Sequence, residues 1–465
     1  MKKQMEVEEC RRRAPVANAP VDRRTFLGAA SASAAFFASG VGLVHTPAQA
    51  EHLSTSPRNG LLRENVVGSD GLSLTRLGRM HEVMAGYVDR GDVPGMVTAV
   101  SRGDDVHVEA LGTKAVGGAD RMRRKSIFRI ASITKPITAA AAMILVEECV
   151  LRLDDPVDPW LPELADRRVL KRLGSPLDDT VPAKRPITLR DLLTFKLGIG
   201  AIMAYPGAYP IQQAMDDAGI SPSADLPVHP PDEMMKRYGS VPLAHQPGEG
   251  WLYNCGSDIL GVLISRASGR TLGEFLRERL FDPLGMTDTG FFVPEDKLDR
   301  LTTAYRTDHE TGELVVFDEA REGRFSRPPA FESGAGGLVS TVDDYVAFSK
   351  MMLNKGVYDG QRLLSRPSIE LMTTDHLTER QRADSAIFFG GNRGWGFGMA
   401  VYTQRDDLSA VPGRFGWDGG YGTSAYVDPN EGLIGILLTQ KMMDSPEAPP
   451  VYKDFWTSAY QAIDD

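Results

Sequence analysis

Phe128-Arg129-Ile130-Ala131-Ser132-Ile133-Thr134-Lys135-Pro136-Ile137-Thr138 is the stretch around which the chain is organised. Downstream, Ala139 to Val150 is alanine-rich and apolar, and Ile133, Ile137, Ala140 and Ile144 recur at helical spacing. Pro136 is tolerated only in the first turn of a helix, where its missing N–H has no intrahelical partner anyway. The pattern predicts a helix opening near Ser132, with that serine in the capping position. Residues three apart share a helix face, so the Lys135 amine falls within reach of the Ser132 hydroxyl. A buried lysine has a depressed pKa and can accept a proton near neutral pH, which makes Ser132 a candidate nucleophile. Serine also caps many ordinary helices, and Ser-x-x-Lys arises about once by chance in a chain of this length. What distinguishes this pair is its company: apolar residues flank Lys135, and no acid lies close to it in sequence.

The chain has 465 residues and a net charge of −10, enough for one large domain or two interleaved ones. The acidic balance argues against nucleic acid as a partner. Residues 1–50 read as a targeting segment. Arg23-Arg24-Thr25-Phe26-Leu27 precedes an apolar, small-residue run from Gly28 to Val44, and Thr46-Pro47-Ala48-Gln49-Ala50 provides an A-x-A-like cleavage site. The paired arginines followed by Phe-Leu look like a twin-arginine export signal, which predicts a periplasmic or secreted protein with no stable membrane span after cleavage. A retained anchor is the alternative, but the Ala, Gly and Ser content of the run suits a cleaved signal better than a bilayer span. Of three cysteines, Cys10 leaves with the signal; Cys149 and Cys255 are expected to be unpaired. No zinc-ligand spacing and no C-x-x-C is present, so neither metal nor cofactor is expected.

Residues 51–73 read as a polar linker. Leu74 to Val88 carries Leu77, Met80, Met84 and Tyr87 at helical spacing, and Pro94–Ser101 with Val106–Leu111 reads as a hairpin. From Leu153 onward turns, prolines and short helices dominate, which predicts an inserted all-helical domain over 151–314. Strand character returns afterwards: Gly422–Asp428 and Leu433–Thr439 flank the turn Pro429-Asn430-Glu431-Gly432, and a closing helix is expected near Pro450–Ile463. Residues 74–150 and 315–465 thus form one α/β domain around the insertion. The stretch Ala201–Lys236 is placed over the cleft by position alone.

Three stretches, taken together, follow a known pattern. Phe128–Lys135 resembles the first motif of the serine β-lactamase and penicillin-binding-protein superfamily. Trp251-Leu252-Tyr253-Asn254-Cys255-Gly256-Ser257-Asp258 resembles its second motif, and Phe415-Gly416-Trp417-Asp418-Gly419-Gly420-Tyr421 its third. The likeness runs from about Leu74 to Thr439 and is nearest to class C β-lactamases and the β-lactamase-fold (family VIII) carboxylesterases. Leu153-Asp154-Asp155-Pro156, Thr188–Thr194, Pro283-Leu284-Gly285-Met286 and Gly336–Thr341 agree in order and spacing. The resemblance implies an α/β (α+β) fold of β-lactamase/transpeptidase type, with a central antiparallel sheet flanked by helices. It implies that Ser132 attacks a carbonyl, that Lys135 holds its proton or polarises a phenol, and that Tyr253 passes the proton to the leaving group. The backbone N–H groups of Ser132 and Gly420 would form the oxyanion hole, with Gly419 allowing close approach.

Three departures shape the functional expectation. Family β-lactamases start the third motif with lysine or histidine, which grips a substrate carboxylate; Trp417 stands here, as in the β-lactamase-fold esterases. Asn254 follows Tyr253 directly, and Cys255 takes the place where asparagine is usual. Thr194-Phe195-Lys196-Leu197-Gly198 replaces a His-Thr-Ser-Gly run, leaving Lys196 as a substitute cation. These departures predict an exported serine esterase cleaving small carboxylic esters through an acyl-enzyme. A β-lactamase, D,D-peptidase or other amide hydrolase with the same machinery is the alternative, and a non-catalytic binding relative is the third reading. No Gly-x-Ser-x-Gly elbow or H-E-x-x-H is present. Among the eight histidines only His245 lies near a motif. The partner is a small-molecule ester or amide; its identity and the oligomeric state are not legible.

Overall fold

The computed structural model describes residues 71–465. The expected twin-arginine segment and most of the expected 51–73 linker lie outside the described residues. The end of that linker is docked: Leu72 bridges to Ile463, and the Ser73 hydroxyl accepts the Arg76 N–H, capping helix α1 (Leu74–Asp89). Leu77, Met80, Met84 and Tyr87 form the buried stripe of α1, as the periodicity predicts.

The elements that build the sheet and frame the site follow in order. The hairpin β1 (Gly95–Arg102) and β2 (Asp105–Gly112) precedes α2 (Thr134–Glu147). Then come α3 (Leu189–Leu193), α4 (Pro210–Asp217), α5 (Pro231–Ser240), α6 (Cys255–Ser268) and α7 (Val342–Leu353). Strands β3 (Arg393–Trp395), β4 (Ala400–Tyr402), β5 (Phe415–Gly419), β6 (Thr423–Asp428) and β7 (Leu433–Thr439) lead to α8 (Pro450–Gln461).

Seven strands make one antiparallel sheet in the order β3-β4-β5-β6-β7-β1-β2. Its central strands are covered on both faces, so they read as nearly unbroken apolar runs. Alternation still sorts the faces. Met96, Val100, Leu433 and Leu437 pack with Tyr452, Phe455 and Trp456 of α8 and with the α1 stripe. Val97, Ala99, Ile434, Ile436 and Leu438 pack toward α2 and α7. Gly435 lets Trp456 lie on β7, since a Cβ there would meet the indole at 2.4 Å.

Helix α2 is buried continuously from Thr134 to Leu145. A helix apolar on all sides belongs in an interior, and its Ala139–Ala142 run allows close packing. The 151–314 segment is not purely helical. Arg168–Leu170 pairs with Thr180–Pro182, and Ala304–Thr307 pairs with Leu314–Asp318, so the expected boundary at 314/315 falls inside a β-ribbon. These strands are three to five residues long, too short for an alternation pattern to register. One apolar cluster also runs through both parts, joining Leu192, Leu243 and Leu263 to Ile137, Leu338 and Ile436.

Candidate active site

The position of Ser132 is set by strand pairing before it. Phe128–Arg129 pairs with Val339–Ser340, and the Ile130 N–H donates to the Leu338 carbonyl at 3.0 Å. The chain must then turn sharply. Ala131 takes a φ of +47°, and Ala131–Ile133 forms a 3-10 turn, so α2 opens at Thr134 rather than at Ser132. The expected capping role is therefore not taken. The Ser132 hydroxyl instead accepts a hydrogen bond from Lys135 Nζ at 2.9 Å.

Lys135 is fully buried. Its ammonium also donates to the Ala335 carbonyl at 2.6 Å and lies 4.6 Å from the centre of the Tyr253 ring. Burial drives its pKa down to about 7, against the opposing pull of Asp258 and Cys255.

Tyr253 is placed by a strained turn. The Ala201 N–H donates to the Tyr253 carbonyl at 2.9 Å, and the Cys255 N–H folds back onto that same carbonyl at 3.3 Å. Asn254 between them has φ +85° and ψ −62°, the rarer, strained form of the γ-turn. Trp417 Nε1 on β5 donates to the Tyr253 hydroxyl at 2.6 Å. Burial lifts the phenol well above its ordinary value, while hydrogen bonding with Ser132 and Trp417 works against this. Tyr253 is thus a neutral phenol at pH 7, and Lys135 is the group poised to change charge there. Ser132, Lys135, Tyr253 and Trp417 form one connected cluster.

Gly419 and Gly420 differ in what they permit. A Cβ on Gly419 would meet Thr423 Oγ1 at 2.1 Å and the Ile130 carbonyl at 2.6 Å, so only glycine lets β5 lie against the strand leading to Ser132. A Cβ on Gly420 would meet nothing within 4 Å. Among the described residues, no backbone hydrogen bond outside the helices and strands engages the Ser132 or the Gly420 N–H.

Other candidates fall away from the cluster. The Asn254 side chain makes no hydrogen bond among the described residues, and its backbone serves the turn; the next residue, Cys255, lies within electrostatic reach of Lys135. Lys196 Nζ donates to the His376 carbonyl at 3.0 Å. The His245 ring packs against Gly250, and its charged neighbours are Glu249 and Asp384. Segment Ala201–Lys236 touches the third motif through the Tyr421 hydroxyl, which donates to the Ala224 carbonyl at 2.5 Å.

Two features had no clear signal in the sequence. The first is an aromatic wall. Phe195, Trp251, Phe388, Trp395 and Trp417 surround the Tyr253 ring at centroid distances of 5.0–6.2 Å. Trp251 and Trp417 lie in the second and third motifs, but Phe195, Phe388 and Trp395 come from separate stretches that no local pattern joins to them. The second is Asp258, wholly buried behind Lys135; its only signal was a lone acid on the apolar face of α6.

A family model described as Beta-lactamase matches residues 80–453. The chain belongs to the beta-lactamase family. Among its relatives, Protein Rv1367c of Mycobacterium tuberculosis (strain ATCC 25618 / H37Rv) is 38% identical over 367 residues, covering 77% of this chain and 88% of that protein. Esterase EstB of Burkholderia gladioli is 32% identical over 380 residues, covering 76% and 88%. Among solved structures, EstCE1, described as a hydrolase with promiscuous acyltransferase activity, superimposes with a TM-score of 0.69 at 24% identity, covering 83% of this chain and 98% of that one. That likeness is one of fold. The beta-lactamase family with its esterase relatives makes this chain a serine hydrolase.

Proposed function

We propose that this beta-lactamase-family protein is an esterase that cleaves small, uncharged carboxylic esters through an acyl-enzyme on Ser132. The observation that carries the reading is the Lys135–Ser132 hydrogen bond at 2.9 Å from a lysine whose pKa lies at about 7. In the proposed cycle the neutral Lys135 amine takes the Ser132 proton as Oγ attacks the acyl carbon. The N–H groups of Ser132 and Gly420 hold the developing oxyanion. The C–O bond to the alcohol breaks, the Tyr253 phenol protonates the departing oxygen, and the Lys135 proton returns to Tyr253. Water then attacks the acyl carbon, its proton passing to the same relay, and Ser132 leaves with a proton restored. Trp417 supports the donor role of Tyr253: its N–H occupies a lone pair of the phenol oxygen and leaves the O–H free to point at Ser132 or the leaving group.

Ester rather than β-lactam preference is supported by what surrounds the nucleophile. Trp417 stands where a carboxylate-gripping cation would, Lys196 is tied to the His376 carbonyl, and the rest of the wall is aromatic. The name of the relative EstB points the same way. The test is initial-rate hydrolysis of short-chain p-nitrophenyl esters by wild type and Ser132→Ala. The reading expects a loss of at least about a thousandfold; undiminished turnover in the variant overturns it. Export by the twin-arginine segment is proposed on the sequence alone. Periplasmic fractionation with and without Arg23→Lys and Arg24→Lys checks it, and export unaffected by the double change would contradict it.

A further inference from the structure

The loop Ser333–Ala335 is wedged between the two helices that carry the chemistry. From α2, Thr138 Oγ1 donates to the Gly334 carbonyl at 2.8 Å and Lys135 Nζ donates to the Ala335 carbonyl at 2.6 Å. From α6, Asp258 Oδ1 accepts the Ser333 hydroxyl at 2.6 Å and the Ala335 N–H at 3.1 Å. Gly334 makes the wedge possible, because a Cβ there would meet the Ser257 carbonyl at 2.5 Å and Thr138 Cγ2 at 2.9 Å. Lys135 and Asp258 therefore grip the two sides of one residue, the amine on its carbonyl and the carboxylate on its N–H.

The geometry points to Asp258 as a positioning residue: through Ala335 it fixes where the Lys135 amine sits, and through its charge it sets the pH at which that amine becomes a base. This rests on the acyl-enzyme reading above. Asp258 does not touch the reacting atoms; Ser132 and Tyr253 do. Its carboxylate is deep, and a buried negative charge stabilises the ammonium form of a nearby lysine. Burial alone would push Lys135 further down than about 7, and Asp258 is the first influence opposing it. Burial, the largest influence on Asp258, raises its pKa above the ordinary carboxylate value, and the Ser333 hydroxyl, Lys135 and the Ala335 N–H pull it back toward the ionised form. The other groups facing Lys135 have no comparable charge at neutral pH. Tyr253 is a neutral phenol, and Cys255 is a thiol whose pKa burial raises to about 12. Behind Asp258 and Cys255, the Tyr238 phenol is likewise held neutral by burial.

The deciding measurement is the pH profile of kcat/KM for a p-nitrophenyl ester in wild type, Asp258→Asn and Asp258→Glu. Asn keeps an acceptor for Ser333 and Ala335 but removes the charge, so the acid limb is expected to move to lower pH by about one unit. Glu restores the charge and is expected to return the limb toward the wild-type position. Should Asp258→Asn fail to fold, Ser333→Ala serves, because losing that hydroxyl weakens the ionised carboxylate and moves the limb in the same direction by less. A limb that stays in place while kcat falls would reduce Asp258 to a packing role and overturn the inference. Absence of ester turnover in wild type would instead remove the esterase reading itself.

Discussion

At the scale of single residues, the proposed chemistry turns on which group in the Ser132 cluster changes charge near neutrality. Lys135 must be unprotonated to accept the Ser132 proton. Its folded pKa of about 7 means that kcat/KM should rise with pH through about 7 and level off above it. Below that value the rate should fall about tenfold per pH unit as the ammonium form takes over. Lys135→Met should abolish this limb together with turnover. Trp417→Phe keeps an aromatic ring, though a smaller one, and removes the N–H that the Tyr253 oxygen accepts at 2.6 Å. A loss of about 1 kcal/mol of transition-state support predicts a kcat lowered several-fold with KM little changed, read by steady-state kinetics on a p-nitrophenyl ester. The adjacent glycines behave oppositely. Gly419→Ala should cost about 1–3 kcal/mol in denaturant unfolding, because its Cβ would press on Thr423 and the Ile130 carbonyl. Gly420→Ala, with open space around the new carbon, should unfold at an unchanged midpoint.

At the scale of elements, much was legible before any coordinates. The α1 stripe, the β1–β2 hairpin, the β6–β7 pair and the buried α2 follow from period, turn chemistry and composition. Ser132 and Lys135 could be placed together because residues three apart on a helix share a face. The detail that escaped was the 3-10 turn: Ala131 is driven to φ +47° by the pairing of Phe128–Arg129 with Val339–Ser340, a contact more than two hundred residues away in sequence. The same reason hid the aromatic wall and the Asp258–Ala335–Lys135 clamp, which are assembled across distant segments. Asn254 shows the limit from the other side. Its type suits a positive φ, but only the structure shows that the backbone uses it for the turn that presents Tyr253.

For the whole molecule, the sheet, the helices and the 151–314 segment share a core, and a buried ion pair ties the strand leading to Ser132 to the Ala304–Asp318 ribbon. Arg129 Nε donates to Asp318 Oδ2 at 2.6 Å, and the guanidinium also donates to the Thr302 and Glu319 carbonyls. Breaking a buried pair leaves an uncompensated charge, so Asp318→Ala should lower stability by about 3–5 kcal/mol, measurable by urea unfolding. Among the described residues no helix is long and apolar enough to cross a membrane. In the proposed reading an uncharged amine and a neutral phenol make the Ser132 hydroxyl the nucleophile. The most direct test is intact-mass and peptide-mapping detection of the covalent adduct after parallel exposure to a fluorophosphonate ester probe and a penicillin. A single adduct from the ester probe is expected on the peptide containing Ser132, lost in Ser132→Ala, with little or none from the penicillin. An ester-probe adduct on another residue, or none in the intact folded protein, would contradict it.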